Sequence, residues 1–192
     1  MKPIKNLLEL FPVPIKIVIL DSITQNNITD IIHSIDQEKL ENNALIKNGY
    51  RSKTNTFLDQ KLWLKKVFQE EINEYVNSYG VIPANISYSW CNKYINNGII
   101  TPHKHEMSIV SGVYYPRILG KSSYLKIKNP CNPFKVNEIT HRSTVFNMQE
   151  FEIPLEENML ILFPSWVDHY SENQSEIKYV ISFDTEIATC LG

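Results

Sequence analysis

The sequence has few cysteines, almost no net charge and no long apolar run, and each of these absences narrows the class of protein. Only three cysteines occur in 192 residues, widely spaced and without a CxxC pair, so neither a disulfide framework nor a cysteine zinc site is expected. The formal charge of −2 indicates no clustered basic surface of the kind that nucleic-acid binding requires. Nucleic acid is therefore not indicated as a partner.

Membrane association is not predicted either. No apolar stretch approaches the roughly 18–20 residues that span a bilayer. The strongest candidate, residues 15–20, is interrupted by Lys16 and is only as long as a strand. Glu9, Pro12 and Pro14 break the N-terminal segment as the core of a signal peptide. We therefore predict a cytoplasmic protein without a membrane partner, and the oligomeric state stays open.

The length and the absence of repeats or linkers predict a single domain over residues 1–192. Residues 13–20 are rich in β-branched side chains and predict a strand. Residues 37–56 are largely polar, and Asn48-Gly49 within them predicts a turn.

Two helices are predicted before residue 80. Asn26 or Asn27 can cap the first helix. Its apolar stripe has the i, i+3, i+4, i+7 spacing and consists of Ile28, Ile31, Ile32 and Ile35. A second amphipathic helix is predicted from about Asp59 to Ser78, with Glu71 alone spoiling its apolar face and Gly80 ending it.

After Gly80 the chain changes to short segments rich in β-branched and aromatic residues. These segments are 86–90, 109–115, 124–127, 143–146, 159–163 and 179–183. Strands at this spacing, with Gly, Pro or Asn close by, predict a sandwich or a barrel. Two helices followed by such a run predict an α+β fold, in which a helical part of about 1–80 supports a β core of about 81–187.

Three of the five histidines have the spacing of a metal site. His103 and His105 are two residues apart, and side chains at i and i+2 of an extended chain point to the same face. His169 follows a hydrophobic strand, and a pair from one strand end with a third ligand from a distant strand can form a facial triad. Imidazole suits iron, copper, nickel and zinc, so these residues leave the metal open, and a chance HxH pair is the alternative. His33 and His141 have no partner at ligand spacing.

The surroundings of these histidines resemble the 2-oxoglutarate/Fe(II) dioxygenase superfamily over residues 86–184. One motif joins WCNKY at 90–94, the HxH pair and SGVYY at 111–115; the other joins LFPSW at 162–166, the distal histidine and KYVISF at 178–183. Similar HxH…SGVYY and FPSW..H motifs occur in a bacterial and phage branch, and prolyl-hydroxylase-like enzymes are more distant relatives. The resemblance implies a double-stranded β-helix, a cupin-like jelly-roll barrel, with N-terminal supporting helices.

The resemblance also implies Fe(II) and 2-oxoglutarate as cofactors. In the superfamily the C5 carboxylate of 2-oxoglutarate is held deep in the barrel by a cation and often by a tyrosine hydroxyl. Lys178, nine residues after the distal histidine, takes the place of the cation, and Tyr115 that of the tyrosine. Ser182 shares the strand face of Lys178, whereas Asn92 and Tyr94 match positions that contact the cosubstrate in some branches. An edge-strand lysine and an ordinary strand aromatic are the alternatives.

Two departures from the superfamily pattern concern charge. Most members have His-x-Asp or His-x-Glu, whereas this sequence has His105 in place of the carboxylate. Glu106 is the substitute ligand, although it needs a local bulge to turn inward. The usual arginine is replaced by Lys178, which can neutralise a carboxylate but cannot form a bidentate fork.

The function implied is hydroxylation of an unidentified substrate, a peptide or a small molecule, with release of succinate and CO2. Residues 43–57 and 129–152 are polar segments that could form lids over the barrel mouth. Three alternatives are a three-histidine cupin-like dioxygenase that does not use 2-oxoglutarate, a non-catalytic metal-binding or small-molecule-binding barrel, and a virion-associated protein with the same fold.

Overall fold

The computed structural model describes residues 13–130, 144 and 147–188. Within them the helices are α1 (Gln25–Gln37) and α2 (Leu62–Ser78), with a short 3₁₀ helix at Phe57–Gln60. The strands are β1 (Lys16–Ile19), β2 (Leu40–Glu41), β3 (Ile46–Ser52), β4 (Ala84–His103), β5 (Val110–Lys128), β6 (Glu150–Pro154), β7 (Met159–Pro164) and β8 (His169–Ile187). The strand predicted at 143–146 and His141 lie outside the described residues, apart from Thr144.

Helix α1 confirms the first predicted helix but begins earlier than its apolar stripe. Ile28, Ile31 and Ile35 are its buried residues. The predicted Asn cap is wrong, because Thr24 is the N-cap and its hydroxyl accepts a hydrogen bond from the backbone N–H of Asn27 at 3.3 Å. The Asn27 side chain accepts one in return from the backbone N–H of Thr24 at 3.0 Å, which completes a capping box.

Helix α2 confirms the second predicted helix, with the 3₁₀ helix at its start. Glu71, the polar residue on the apolar face, forms an ion pair of 2.8 Å with Lys16. Gly80 has a φ of +65°, which glycine adopts without strain, and the helix ends there as predicted. No helix among the described residues is long and apolar enough to cross a membrane.

The eight described strands form one curled antiparallel sheet in which the long strands do most of the pairing. The order is β1-β7-β5-β8-β4-β3-β2, and β6 pairs with β5. The register shifts along β4, between Ile95 and Ile100, and along β5, between Leu119 and Ser123. Such irregularities bend a strand, so β4, β5 and β8 each contribute to two walls of a barrel.

The sheet has one face toward the helices and one toward the barrel interior. On β5 and β8, the residues Tyr114, Ile181 and Phe183 pack with the buried faces of α1 and α2. The residues next to them on the strands, such as Val113 and Val180, belong to a second apolar cluster inside the barrel. Strand alternation therefore separates a structural face from an inner face along the same strands.

Gly112, in the SGVYY segment, is required by this packing. A Cβ atom at position 112 would lie only 2.1 Å from the Phe183 ring, so no other residue fits without moving that ring. Glycine thus lets β5 and β8 pair at this point while Phe183 remains in the helix-facing core.

The turn predicted at Asn48-Gly49 is wrong. Both residues lie inside β3, where the register against β4 shifts between Lys47 and Gly49. Asn48 has a φ of 51°, a left-handed conformation that asparagine tolerates, so the dipeptide forms a bulge and not a chain reversal. Residues 43–57, predicted as a lid, therefore include a strand that flanks β4.

Candidate active site

Three imidazoles converge at one end of the barrel. The ligand atoms of His103, His105 and His169 all lie within 4.8 Å of one another. His103 and His169 are direct partners in the β4–β8 register, and their ring centroids are 4.3 Å apart. Cross-strand pairing thus brings together two residues that are distant in sequence.

His105 reaches the cluster in a way that strand alternation does not describe. Strand β4 ends at His103, so the two histidines are not neighbours on one regular strand. The backbone N–H of His105 donates a hydrogen bond of 2.8 Å to the carbonyl of Ser165, in the segment between β7 and β8. Its ring stacks on Trp90 with 5.8 Å between ring centroids.

The Nδ1 atoms of all three rings face hydrogen-bond acceptors. His103 Nδ1 lies 2.9 Å from the Thr101 carbonyl, and His169 Nδ1 lies 3.0 Å from the Val167 carbonyl. His105 Nδ1 lies 2.9 Å from Oδ2 of Asp184. Because these acceptors need a hydrogen on Nδ1, each Nε2 keeps its lone pair, which is the arrangement that metal-binding histidines have.

Burial favours the neutral, metal-binding form of two of these rings. Desolvation, reinforced by the neighbouring His103, lowers the pKa of His169 to about 3. Desolvation also lowers the pKa of His103 from its ordinary value. Because neutral imidazole is the ligand form, the three residues fit a mononuclear site for a metal such as iron.

Glu106, the substitute ligand, lies apart from this cluster. Its carboxylate is solvent-exposed and forms an ion pair of 2.8 Å with Lys104. The local bulge that would turn it inward is absent at this position, since the chain after His103 leaves the sheet.

Lys178 lies deeper in the barrel and is almost completely buried, with 1% of its surface exposed. Its Nζ atom donates to the hydroxyls of Ser123 at 3.2 Å and Ser171 at 3.3 Å. Among the described residues no carboxylate lies within ion-pairing distance of it, and desolvation lowers its pKa to about 7. An unpaired buried cation of this kind fits the distal carboxylate of a dicarboxylic acid such as 2-oxoglutarate.

The other residues predicted for the cosubstrate line the same inner cavity, between the histidines and Lys178. The cavity walls include Asn92, Tyr94, Tyr115 and Ser182. The Lys178 ammonium lies 4.8 Å from the ring centroid of Tyr94 and 5.9 Å from that of Tyr115. Burial raises the pKa of both phenols, so both hydroxyls stay protonated and can donate to an anion.

Asn92 adds an unsatisfied polar atom to this cavity. Its side chain is 2% exposed, and its Oδ1 atom has no hydrogen-bond partner within the described part of the chain. A buried acceptor without a partner is rare in folded proteins, because it loses its hydration without compensation. A ligand in the cavity could supply the missing hydrogen bond.

Asp184 is a site residue that the sequence analysis missed. Its Oδ2 atom faces His105, and its Oδ1 atom accepts a hydrogen bond of 2.6 Å from the hydroxyl of Ser111. The signal was available, because Asp184 continues the alternation of Lys178, Val180 and Ser182 by one step toward the mouth.

An outer cleft of about 280 Å³ opens over the histidine cluster. Its walls come from β3, β4, β8 and the chain next to these strands, and they include Asn43, Arg51, Tyr88 and Asp184. The Arg51 guanidinium lies 4.2 Å above the Trp90 ring, and its Nη2 donates to Asn55 Oδ1 at 3.1 Å. The cleft shares His103 and His105 with the inner cavity, so the two spaces meet at the histidines.

The fold is that of a double-stranded β-helix, and three histidines that could hold a metal ion lie together at one end of it. Residues 88–184, just over half of the chain, match a family model described as "Putative 2OG-Fe(II) oxygenase". The chain therefore belongs to the 2OG-Fe(II) oxygenase family, whose members are enzymes that use Fe(II) and 2-oxoglutarate. No curated protein matches the chain in sequence.

Solved structures confirm the predicted fold. A 2OG-Fe(II) oxygenase family oxidoreductase from Burkholderia pseudomallei aligns with a TM-score of 0.64 and 8% identity, over 90% of this chain and 84% of that one. HygX from Streptomyces hygroscopicus, solved with nickel and 2-oxoglutarate bound, aligns with a TM-score of 0.64 and 5% identity, over 92% and 84%. A Pseudomonas putida prolyl-4-hydroxylase aligns with a TM-score of 0.57 and 12% identity, over 92% and 94%.

Proposed function

We propose that the chain hydroxylates a peptide or small-molecule substrate, with Fe(II) held by His103, His105 and His169 and 2-oxoglutarate anchored by Lys178. One observation carries the assignment of the residues. The same cavity is lined by the three histidines and by Lys178, a buried ammonium that has no carboxylate partner among the described residues. A dicarboxylic acid could chelate a metal at the histidines through one end and pair with Lys178 through the carboxylate at its other end.

When bound, Fe(II) and 2-oxoglutarate with O2 supply the chemistry for hydroxylating a C–H bond, with release of succinate and CO2. The residues of this chain bind and orient the reactants. Lys178, with the hydroxyls of Ser123 and Ser171, neutralises the distal carboxylate. Tyr94 and Tyr115 close the sides of the pocket and exclude water. Asn92 and Ser182 offer further polar contacts along the cavity.

The substrate is proposed to enter through the outer cleft, because this space is lined by His103 and His105 but not by Lys178. Its size is close to that of ligand pockets for small molecules, and its open side also admits an extended peptide. A prolyl-4-hydroxylase and HygX, which was also solved with hygromycin B bound, are both similar to this chain, so both substrate classes stay in the proposal. The cytoplasmic location and the single domain over residues 1–192 stay predictions.

A second candidate is a three-histidine dioxygenase that does not use 2-oxoglutarate. The absence of a carboxylate from the three converging residues favours it. Lys178 favours the first candidate, since a buried cation has no use in a site that receives no distal carboxylate. Replacement of Lys178 by alanine should therefore abolish succinate formation in the first case and matter little in the second.

The first experiment is an anaerobic titration of metal-free protein with Fe(II) and then with 2-oxoglutarate. Chelation of the iron by 2-oxoglutarate should produce a weak charge-transfer band in the visible spectrum. His169→Ala should abolish the band, whereas the matched control His33→Ala, which changes an exposed histidine on α1, should leave it intact. Iron binding without the band would favour the second candidate, and no iron binding would contradict both.

A further inference from the structure

We infer that Asp184 is a positioning residue for the metal site. The three neutral imidazoles carry no negative charge, and Asp184 supplies one without itself being a ligand. The inference rests on the proposed metal site and assigns a role to a residue beyond its three ligands. Asp184 contacts His105, one of the three ligands, and does not take the place of a ligand.

The geometry of Asp184 is specific to one of the three histidines. His103 and His169 have backbone carbonyls as the partners of their Nδ1 atoms. Within the described residues, His105 is the one of the three whose Nδ1 atom has a carboxylate partner, with 2.9 Å to Oδ2 of Asp184. His105 is also the residue that stands where most of the superfamily has a carboxylate ligand. A negative charge is thus present in this site too, but on a residue that contacts a ligand and not on a ligand itself.

An ionised carboxylate accepts hydrogen bonds and cannot donate them. Nδ1 of His105 must therefore carry the ring hydrogen, which leaves Nε2 as the free ligand atom. The carboxylate also pulls the Nδ1 hydrogen toward itself and makes Nε2 a stronger electron donor. A carbonyl partner gives the same tautomer but a weaker effect, because it carries no full charge.

The carboxylate itself is held in place from its other side. Ser111 donates to Oδ1 of Asp184, and the Ser111 hydroxyl lies 2.8 Å from that of buried Ser165. The Ser165 carbonyl in turn accepts the backbone N–H of His105. Asp184, Ser111 and Ser165 therefore connect both the ring and the backbone of His105 to β5 and to the segment before β8.

The first test is made on metal-free protein and does not depend on enzyme activity. Nitrogen NMR of the metal-free wild-type protein, labelled at histidine and kept slightly alkaline, reports the tautomer of each ring. The His105 signal is identified by its loss in His105→Gln. We expect the hydrogen on Nδ1; a hydrogen on Nε2 would overturn the inference.

The second test measures Fe(II) affinity by anaerobic equilibrium dialysis, without 2-oxoglutarate or substrate. Asp184→Asn keeps the size of the side chain and removes its charge, and its amide can also donate to Nδ1 and so favour the wrong tautomer. We expect about 10-fold to 100-fold weaker Fe(II) binding, the range for partners of metal-ligating histidines.

The matched control is Glu186→Gln, which removes the same charge from an exposed position two residues further along β8. It should leave the affinity unchanged. Equal affinities for Asp184→Asn and the wild type, or equal losses in both variants, would overturn the inference. Iron binding with the expected Asp184 effect but no succinate formation would instead contradict the proposed function alone, and absence of Fe(II) binding by the wild type would overturn both.

Discussion

The two faces of the same strands differ sharply in composition and in what they do. Toward the helices, β5 and β8 present Tyr114, Ile181 and Phe183, each with almost no exposed surface. Toward the barrel interior, the alternate positions of β8 present Lys178 and Asp184. One face therefore stabilises the barrel through apolar burial. The other carries charged groups, and of these Lys178 has no carboxylate partner among the described residues.

The inner face is also where the structure carries an electrostatic penalty. Within the described part of the chain, the Lys178 ammonium has no counter-ion and the buried Asn92 amide oxygen has no hydrogen-bond partner, and both features oppose folding. The apolar cluster between the helices and the sheet offsets this penalty. Variants of the helix-facing side should therefore reduce stability, and variants of the inner face should reduce binding.

The largest expected effect is on the helix-facing side. Phe68 on α2 is fully buried, and its ring lies 5.1 Å from Tyr114 and 5.3 Å from Phe183, measured between centroids. Phe68→Ala should lower the free energy of unfolding by about 3–5 kcal/mol. Urea denaturation measures the change, with Leu62→Ala, 70% exposed on the same helix, as a control within about 0.5 kcal/mol. Loss of Fe(II) binding by the still-folded variant would contradict the separation of the two faces.

The reverse change is Lys178→Met, on the inner face. It should weaken 2-oxoglutarate binding by about 2–4 kcal/mol, since the distal carboxylate loses its counter-charge. The free energy of unfolding should stay constant or rise, because an uncompensated buried charge is replaced by an apolar side chain of similar length. Calorimetric titration and urea denaturation test the two parts. Lys66→Met, which removes an exposed charge from α2, controls for net charge; a loss of stability in Lys178→Met alone would contradict the prediction.

The pH dependence of Lys178 sharpens the same comparison. Burial lowers its pKa from 10.5 to about 7, so between about pH 7 and 10 the unfolded chain binds more protons at this residue than the folded protein. The cost of burying the charged Lys178 is fully present below pH 7 and decreases as the pH rises. The free energy of unfolding of the protein without 2-oxoglutarate should therefore increase with pH.

Binding of 2-oxoglutarate should respond in the opposite direction. Above pH 7 the Lys178 amine is mostly neutral and must take up a proton before it can pair with the 2-oxoglutarate dianion. The affinity for 2-oxoglutarate should therefore fall by up to about tenfold per pH unit. Affinity measured from pH 6 to 9 checks this, and Lys178→Met should remove this part of the slope. If affinity depended on pH equally in the wild type and in Lys178→Met, a group other than Lys178 would be responsible.

The smallest expected effect concerns one hydroxyl beside Lys178. Ser171→Ala removes a hydrogen-bond partner 3.3 Å from Nζ and should weaken 2-oxoglutarate binding by about 1 kcal/mol. Ser34→Ala, which removes a hydroxyl bonded to the backbone of α1, should leave binding unchanged. A loss as large as that of Lys178→Met would mean that Ser171 contacts the cosubstrate directly.

Local patterns predicted much of the fold because they depend on near neighbours. The isoleucine stripe of α1, the end of α2 at Gly80 and most strands of the β core follow from periodicity and turn chemistry. The errors also have local causes. Thr24 competes with Asn26 as a cap, and Asn48-Gly49 suits a bulge as well as a turn, since both need a left-handed residue.

The candidate site was predictable to the extent that its residues lie in motifs. His103, His105, His169 and Lys178 could be selected from spacing and from the resemblance, and the structure places them around one cavity. Asp184 continues the alternation of Lys178 and Ser182, but alternation predicts only the strand face of a residue and not its partner. Its role depends on which side chain lies opposite it, and that is a property of packing.

By itself, the sequence determined the element types, the α+β class and the family, because these are encoded in periodicity and in short motifs. Only the tertiary structure decided which groups meet. The β4–β8 register pairs His103 with His169, and the chain after β4 returns His105 to Asp184. Barrel closure also buries Lys178 between two serine hydroxyls. Contacts of this kind arise from residues far apart in the chain, whose relative positions are set by pairing and packing and not by local sequence.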